Sequence, residues 1–362
     1  MNRANAWTTY EEADLKALEE LCKEYKDFLS NGKTERECVA QSIELAKKAG
    51  YQDLEELIKN QTPLKAGNKV YRTWMEKTIA LFQIGEDAIE DGLNILGAHI
   101  DSPRLDLKQN PLYEDTEMAL LDTHYYGGVK KYQWVTIPLS LYGVVCKKDG
   151  TVVDVVIGED ENDPVVGISD LLIHLSADQL DKKAAKVIEG ENLDVTLGNM
   201  PLFGEEKDAV KANVLKLLKE KYDIEEEDFV SAEIEVVPSG KARDYGLDRS
   251  MVAGYGHDDR VCAYTSLTAI LDSDVSEYTS CAILVDKEEI GSVGATGMHS
   301  RFFENTVAEL VALTEGESEL KVRRALANSR MLSSDVSAAY DPMFAEAFEK
   351  RSAAFFGRGL VF

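Results

Sequence analysis

Four short stretches of this sequence gather the residue types that hold ions and move protons. "GAHIDSPRL" carries His99 and Asp101, "GHDDRV" carries Asp258 and Asp259, "DKEEIGSVGATG" carries Glu288 and Glu289, and "SSDV" carries Asp335. His99 and Asp101 stand two residues apart at the end of an apolar run, so both side chains leave the same side of a strand end. A metal-binding histidine usually has its second ring nitrogen held by a carboxylate or carbonyl, and Asp101 could supply one. A histidine simply satisfied by its neighbouring aspartate reads the same stretch equally well. Asp258 and Asp259 precede an amphipathic helix. They serve as helix caps, or as a carboxylate whose two oxygens bridge two cations that offset their mutual repulsion. Glu288 and Glu289 follow the buried run Ile283-Leu284-Val285. On an extended segment they would point opposite ways, one to a metal and one to substrate or water; an exposed acidic loop is the competing reading. Ser333, Ser334 and Asp335 alone read as a turn or cap. One imidazole, one bridging-type Asp, a Glu pair and a late Asp are together the donor set of a two-metal hydrolase with a free carboxylate as general base.

The elements that must position these groups follow from patterning. "TTYEEADLKALEELCKEYKDFL" predicts a helix starting behind Thr8 or Thr9, and Thr34 opens a second that stops near Gly50. "VYRTWMEKTIALFQIG" and "LNILGAHIDS" read as strands, and "YQWVTIPLSLYGVVCKKDGTVVDVVIG" as a hairpin turning at "KKDG". A charged helix, "DAVKANVLKLLKEKY", and the strand "SAEIEVVP" complete that middle region. Helix "DRVCAYTSLTAIL", strand "CAILVD" and helix "RFFENTVAELVAL" restore an α/β rhythm. The expected fold is an α/β domain of residues 1–105 and 241–362, with a strand-rich insertion at 106–240.

Composition narrows the function classes. The 362 residues carry a formal net charge of −26, which works against nucleic acid and anionic membranes. Cys22, Cys38, Cys146, Cys262 and Cys281 are odd in number and scattered, as in a reducing compartment. With no apolar signal core at the N-terminus, the expected location is cytoplasmic. "GSVGATG" superficially matches a dinucleotide loop, but the acids before it would repel a pyrophosphate.

In combination and order, "GAHIDSPRLDLK", "YYGGVKKYQW", "GHDDRVCAYTSL", "DKEEIGSVGATG" and "SSDV" resemble the aspartyl aminopeptidase family of dinuclear zinc exopeptidases over nearly the whole chain. The resemblance implies a mixed-sheet zinc-exopeptidase α/β catalytic domain interrupted by a mostly β dimerisation domain, and dimers built into a twelve-subunit particle. It implies two divalent ions, zinc with cobalt or manganese as substitutes, and peptide substrates with a free, acidic N-terminal residue. His99 and Asp335 would bind one zinc, Asp258 both and Glu289 the second. Asp101 would orient His99, and Glu288 would be the general base. His174, in "LLIHLS", would reach a neighbouring subunit's substrate. The peptide bond after Asp258 is often cis in related enzymes.

Two departures stand against this pattern. The family's last histidine ligand to the second ion has no counterpart, since no histidine follows His299. "GRGLVF" reads as an apolar strand broken off, so the chain is expected to be truncated. "VSAAYDP" after Asp335 lacks histidines often found there, which weakens the case for strict acidic specificity. The alternatives are a dinuclear metallohydrolase of other specificity and an inactive assembly protein; a nucleotide-dependent oxidoreductase is the remote third.

Overall fold

The computed structural model describes residues 3–362. The chain begins with helices α1 (Glu12–Asn31) and α2 (Glu35–Lys48), then β1 (Gln52–Asp53), α3 (Leu54–Lys59), and strands β2 (Lys69–Trp74), β3 (Thr78–Gln83) and β4 (Leu93–His99). It then runs through β5 (Arg104–Asp115), β6 (Met118–Tyr126), β7 (Leu139–Cys146), β8 (Val152–Ile157), α4 (Ala177–Leu180), β9 (Val195–Gly198), α5 (Ala209–Tyr222) and β10 (Ala232–Pro238). A short hairpin of β11 (Arg243–Tyr245) and β12 (Met251–Ala253) leads to α6 (His257–Leu271), β13 (Thr279–Val285), α7 (Phe302–Glu315), α8 (Glu319–Asn328) and β14 (Arg330–Ser333).

The expected second helix forms where Thr34 caps it. The Thr34 side chain accepts from the Glu37 N–H while Glu37 reaches back to the Thr34 N–H at 2.9 Å, satisfying two orphan donors. The first helix starts later than Thr8 or Thr9 would suggest. Thr8 ends a short 3₁₀ turn, Ala6–Thr8, that Thr9 caps, and Glu11 caps α1.

Two sheets result. The first has the order β1-β2-β3-β13-β4-β14 and is mixed: β13 and β14 run parallel to β4, while β3 runs antiparallel to β13. Its two faces bury separate apolar clusters. Phe28 and Leu29 of α1, Val39 of α2 and Leu267 of α6 cover one face. Leu54, Val307 and Leu310 from α3 and α7 cover the other. Covered on both sides, β3 is buried at every residue and reads as a continuous apolar run rather than an alternating one. The second sheet, β8-β7-β10-β5-β6-β9, is built from the middle of the chain and has its own core around Leu105, Leu121, Val145 and Val236.

One expected strand does not form. Gly357 and Gly359 both take positive φ, which breaks the extended run in "GRGLVF", and Leu360, Val361 and Phe362 are exposed. Among the described residues no helix is long and apolar enough to cross a membrane.

Candidate metal centre

Parallel pairing brings the acids together. In the register of the first sheet, Val285 of β13 lies opposite His99 of β4, and Ser333 of β14 opposite Gly97. The three strands therefore end at one edge of the sheet, the position where α/β folds place ligands. His99 closes β4, Glu288 and Glu289 follow β13, and Asp335 follows β14. Asp258 arrives from the start of α6, where Asp258 and Asp259 keep non-helical dihedral angles. The Asp258–Asp259 peptide bond is cis, the geometry that the resemblance implied.

His99 is the buried centre of the group. Its Nδ1 lies 2.9 Å from the Asp101 carbonyl and 3.3 Å from Asp101 Oδ1, so that nitrogen carries the proton. Nε2 faces the acids: Asp258 Oδ1 at 3.2 Å, Glu288 Oε2 at 3.7 Å and Asp335 Oδ1 at 4.0 Å. Donor atoms of His99, Asp258 and Asp335 all lie within 4.8 Å of one another, as do those of His99, Glu288 and Glu289. Asp258, Glu288 and Asp335 are about half exposed, so the group opens to solvent on one side.

The electrostatics show a deficit of positive charge. Burial, joined by the Asp258 charge, pushes the Glu289 carboxyl up to about 7, and burial raises Asp258 despite the opposing pull of His99. Burial alone would lower His99, but the Asp101 hydrogen bond and the carboxylates outweigh it and lift the imidazole to about 9. Among the described residues no Lys or Arg pairs with Asp258, Glu288, Glu289 or Asp335. One imidazole and four carboxylates converging without a Lys or Arg fit a hard or borderline divalent ion, zinc included.

Several expectations change in detail. Glu288 and Glu289 do not extend in opposite directions. Lys287 turns left-handed at φ +72°, the Gly291 N–H bonds Glu288 O at 2.8 Å, and the Ser292 N–H bonds Lys287 O at 2.7 Å. A 3₁₀ turn results, and both glutamates join His99 in one group of donors. The glycine loop does not deliver a helix N-terminus as a dinucleotide site would, because α7 starts only at Phe302. His174 sits in an exposed turn, Ile173–Leu175, and is not part of the His99 groups.

Asp101, which the sequence already set beside His99, also holds the acidic loop, and Asp286 anchors that loop from within the fold. Asp101 is fully buried and accepts from the N–H groups of Glu288 and Glu289 as well as from the Tyr126 hydroxyl. Asp286, also fully buried, accepts from Thr296 Oγ1 at 2.6 Å and ties down the far end of the acidic loop. His257 stays outside the centre: Nε2 lies 3.1 Å from Val252 O and Nδ1 2.8 Å from the Tyr25 hydroxyl, so both ring nitrogens are engaged.

Known proteins match the chain over nearly its whole length. The family described as "Aminopeptidase I zinc metalloprotease (M18)" matches residues 28–362. A probable M18 family aminopeptidase 1 from Clostridium acetobutylicum is 59% identical over 359 residues, covering 99% of this chain and 77% of the relative. A crystal structure of an M18 aminopeptidase from Thermotoga maritima superposes with a TM-score of 0.91 at 42% identity, covering 99% of this chain and 78% of that one. At the level of fold alone, the structure of the S. cerevisiae mApe1 dodecamer matches with a TM-score of 0.73 at 21% identity, covering 94% of this chain and 76% of that one.

Proposed function

This chain belongs to the aminopeptidase I (M18) family of zinc metalloproteases, and from that premise we propose that it removes acidic N-terminal residues, Asp and Glu, from peptides, using two ions. The observation that carries the reading is the convergence of His99, Asp258, Glu288, Glu289 and Asp335 at one sheet edge with no Lys or Arg partner among the described residues. His99, Asp258 and Asp335 would hold one ion, Asp258 and Glu289 the second, with Asp258 shared. Zinc in such a set supplies positive charge that polarises a carbonyl and acidifies water.

The chain's own groups do the rest. Asp101 holds His99 at Nδ1 and aims Nε2 at the acids, where its lone pair would meet an ion. Glu288 is exposed enough to meet substrate and close enough to the donor groups to take a proton from the attacking water. It then delivers that proton to the amine nitrogen as the C–N bond breaks. The surrounding carboxylates favour a substrate's free α-ammonium. The motif resemblance supports the acidic preference.

Matched peptides test the reading. Cleavage of Asp- and Glu-terminated peptides is expected to outpace that of Leu- or Ala-terminated ones, and N-acetylation is expected to abolish it. Equal turnover of acetylated peptides would sink the exopeptidase assignment, and a preference for neutral residues would sink the acidic one. Metal analysis of the purified chain is expected to find two ions per chain.

Residues 106–240 are assigned as the dimerisation insertion of a catalytic domain formed by 1–105 and 241–362. Assembly is supported by the segment around His174, where Leu171, Leu172, Ile173, Leu175 and Leu180 all stand exposed. A neighbouring subunit covers them, and His174 reaches that neighbour's substrate. His174→Ala is then expected to lower kcat/KM roughly tenfold or more, the cost of one charged hydrogen bond. Mixed oligomers of His174→Ala and Glu288→Gln subunits would regain activity, because intact His174 and intact Glu288 meet across the contact. Failure of every mixture to exceed its parents counts against the arrangement.

A further inference from the structure

The motif "YYGGVKKYQW" has no part in the chemistry above, yet its first turn closes on the acidic loop. Tyr126 ends β6 directly opposite Arg104, the first residue of β5. Its hydroxyl donates to Asp101 Oδ2 at 2.6 Å. That same oxygen accepts from the Glu289 N–H at 3.2 Å, and Asp101 Oδ1 accepts from the Glu288 N–H at 3.1 Å. Gly127 follows with φ +73°, and a Cβ there would lie 3.1 Å from Glu289 Cβ and 3.2 Å from Glu289 Oε2. The Tyr126 ring is held in turn by the Arg104 guanidinium, 3.8 Å from its centroid, and Arg104 is anchored by Asp106 and Glu235 at 2.8 and 3.1 Å.

We propose that Tyr126 and Gly127 are positioning residues through which the second sheet sets Glu288 and Glu289 in the active site. This rests on the roles given to those glutamates under the proposed function. The Asp101 carboxylate has one rotation about its Cα–Cβ bond and one about its Cβ–Cγ bond. Besides His99 Nδ1, 3.3 Å from Oδ1, its partners here are two N–H donors on one loop with left-handed residues on both sides, Lys287 and Gly291, so movement of that loop would carry the carboxylate and His99 with it. The Tyr126 hydroxyl ties the carboxylate to a strand of the other sheet and fixes it in space. Gly127 removes the one side chain that would displace Glu289.

Tyr126→Phe keeps the ring over Arg104 and deletes only the hydroxyl. Partners that orient metal ligands typically contribute about 10–100-fold to activity or metal affinity. In the zinc-loaded enzyme kcat is expected to fall within that range with KM little changed, and zinc is expected to pass to a chelator faster by a similar factor. In the metal-free protein, amide hydrogen exchange is expected to rise in the peptide covering residues 286–291 while β3 and β13 keep their protection. Gly127→Ala, which pushes on Glu289 directly, should speed zinc loss with Tyr126 intact. Wild-type kcat and exchange in Tyr126→Phe would overturn the proposal, as would a fall in kcat with unchanged exchange. A wild-type chain that takes up no zinc would instead fail the parent assignment, and the exchange comparison would still report on the positioning.

Discussion

Glu288→Gln is expected to lower kcat by about 10²–10⁴-fold, the usual contribution of a positioned general base. Gln keeps the length and one carbonyl oxygen of Glu but takes no proton at neutral pH. If Glu288 moves the proton, KM and bound zinc should therefore stay near wild type while kcat collapses. The structure makes a second outcome informative. Glu288 Oε2 lies 3.7 Å from His99 Nε2, and Glu288 shares a donor group with Glu289. A variant that loses zinc together with activity would make Glu288 a ligand and leave the base to another group. Steady-state kinetics on an Asp-terminated peptide, paired with metal analysis of the same sample, separates the two. Near-wild-type turnover would defeat either role.

What made the acids legible in sequence was their place at strand ends. The apolar runs before His99 and Glu288 were readable as strands, whereas Asp335 alone read as a turn or cap, and parallel pairing of β4, β13 and β14 brings all three ends to one edge. The local path of the chain was not readable in the same way. The acidic pair follows a left-handed Lys287, a conformation uncommon for a residue with a side chain, so an extended segment was the natural expectation. Long-range partners were also invisible. Tyr126 reaches Asp101 across 25 positions, and Asp101 reaches Glu288 across 187. Motif spacing carries no trace of such contacts, because pairing between sheets and loops creates them.

Glu35 shows the same gap between sequence and structure. By sequence it is an ordinary first-turn glutamate of α2, suited to the helix dipole. In the fold it is wholly buried between the two sheets. Lys77, from the turn joining β2 and β3, lies 2.9 Å from its Oε1, and Arg104, at the head of β5, lies 3.6 Å from its Oε2. Arg104 also meets Glu235 of β10, and Lys77 meets Glu233. Burial opposes the charge on Glu35, but Arg104 and Lys77 outweigh burial and hold its carboxyl well below 4.5. For Glu235 burial prevails over the attraction of Arg104, and the nearby Glu35 adds to the upward shift. Of the two, Glu35 holds its charge the more strongly and Glu235 takes up a proton the more readily.

The signs of the two shifts give opposite expectations for two isosteric substitutions. A depressed carboxyl contributes stability above its unfolded value of 4.5, lost as pH falls through the folded value; a raised one contributes at low pH and loses it as pH climbs through its folded value. Glu35→Gln leaves Lys77 and Arg104 with too little negative charge in a buried site. It is expected to cost about 3–5 kcal/mol at pH 7, as removing one partner of a buried ion pair does. Glu235→Gln removes the charge of the carboxyl that gives it up more readily and is expected to cost less than Glu35→Gln. Below pH 4.5 wild type begins to lose the Glu35 contribution, so the gap between wild type and Glu35→Gln should narrow. Equilibrium urea unfolding of the three proteins at pH 7 and pH 4 reads both effects. A Glu235→Gln protein less stable than Glu35→Gln at pH 7 would reverse which glutamate holds its charge the more strongly. A gap that widens in acid would remove the charge on Glu35 as the source of the stability.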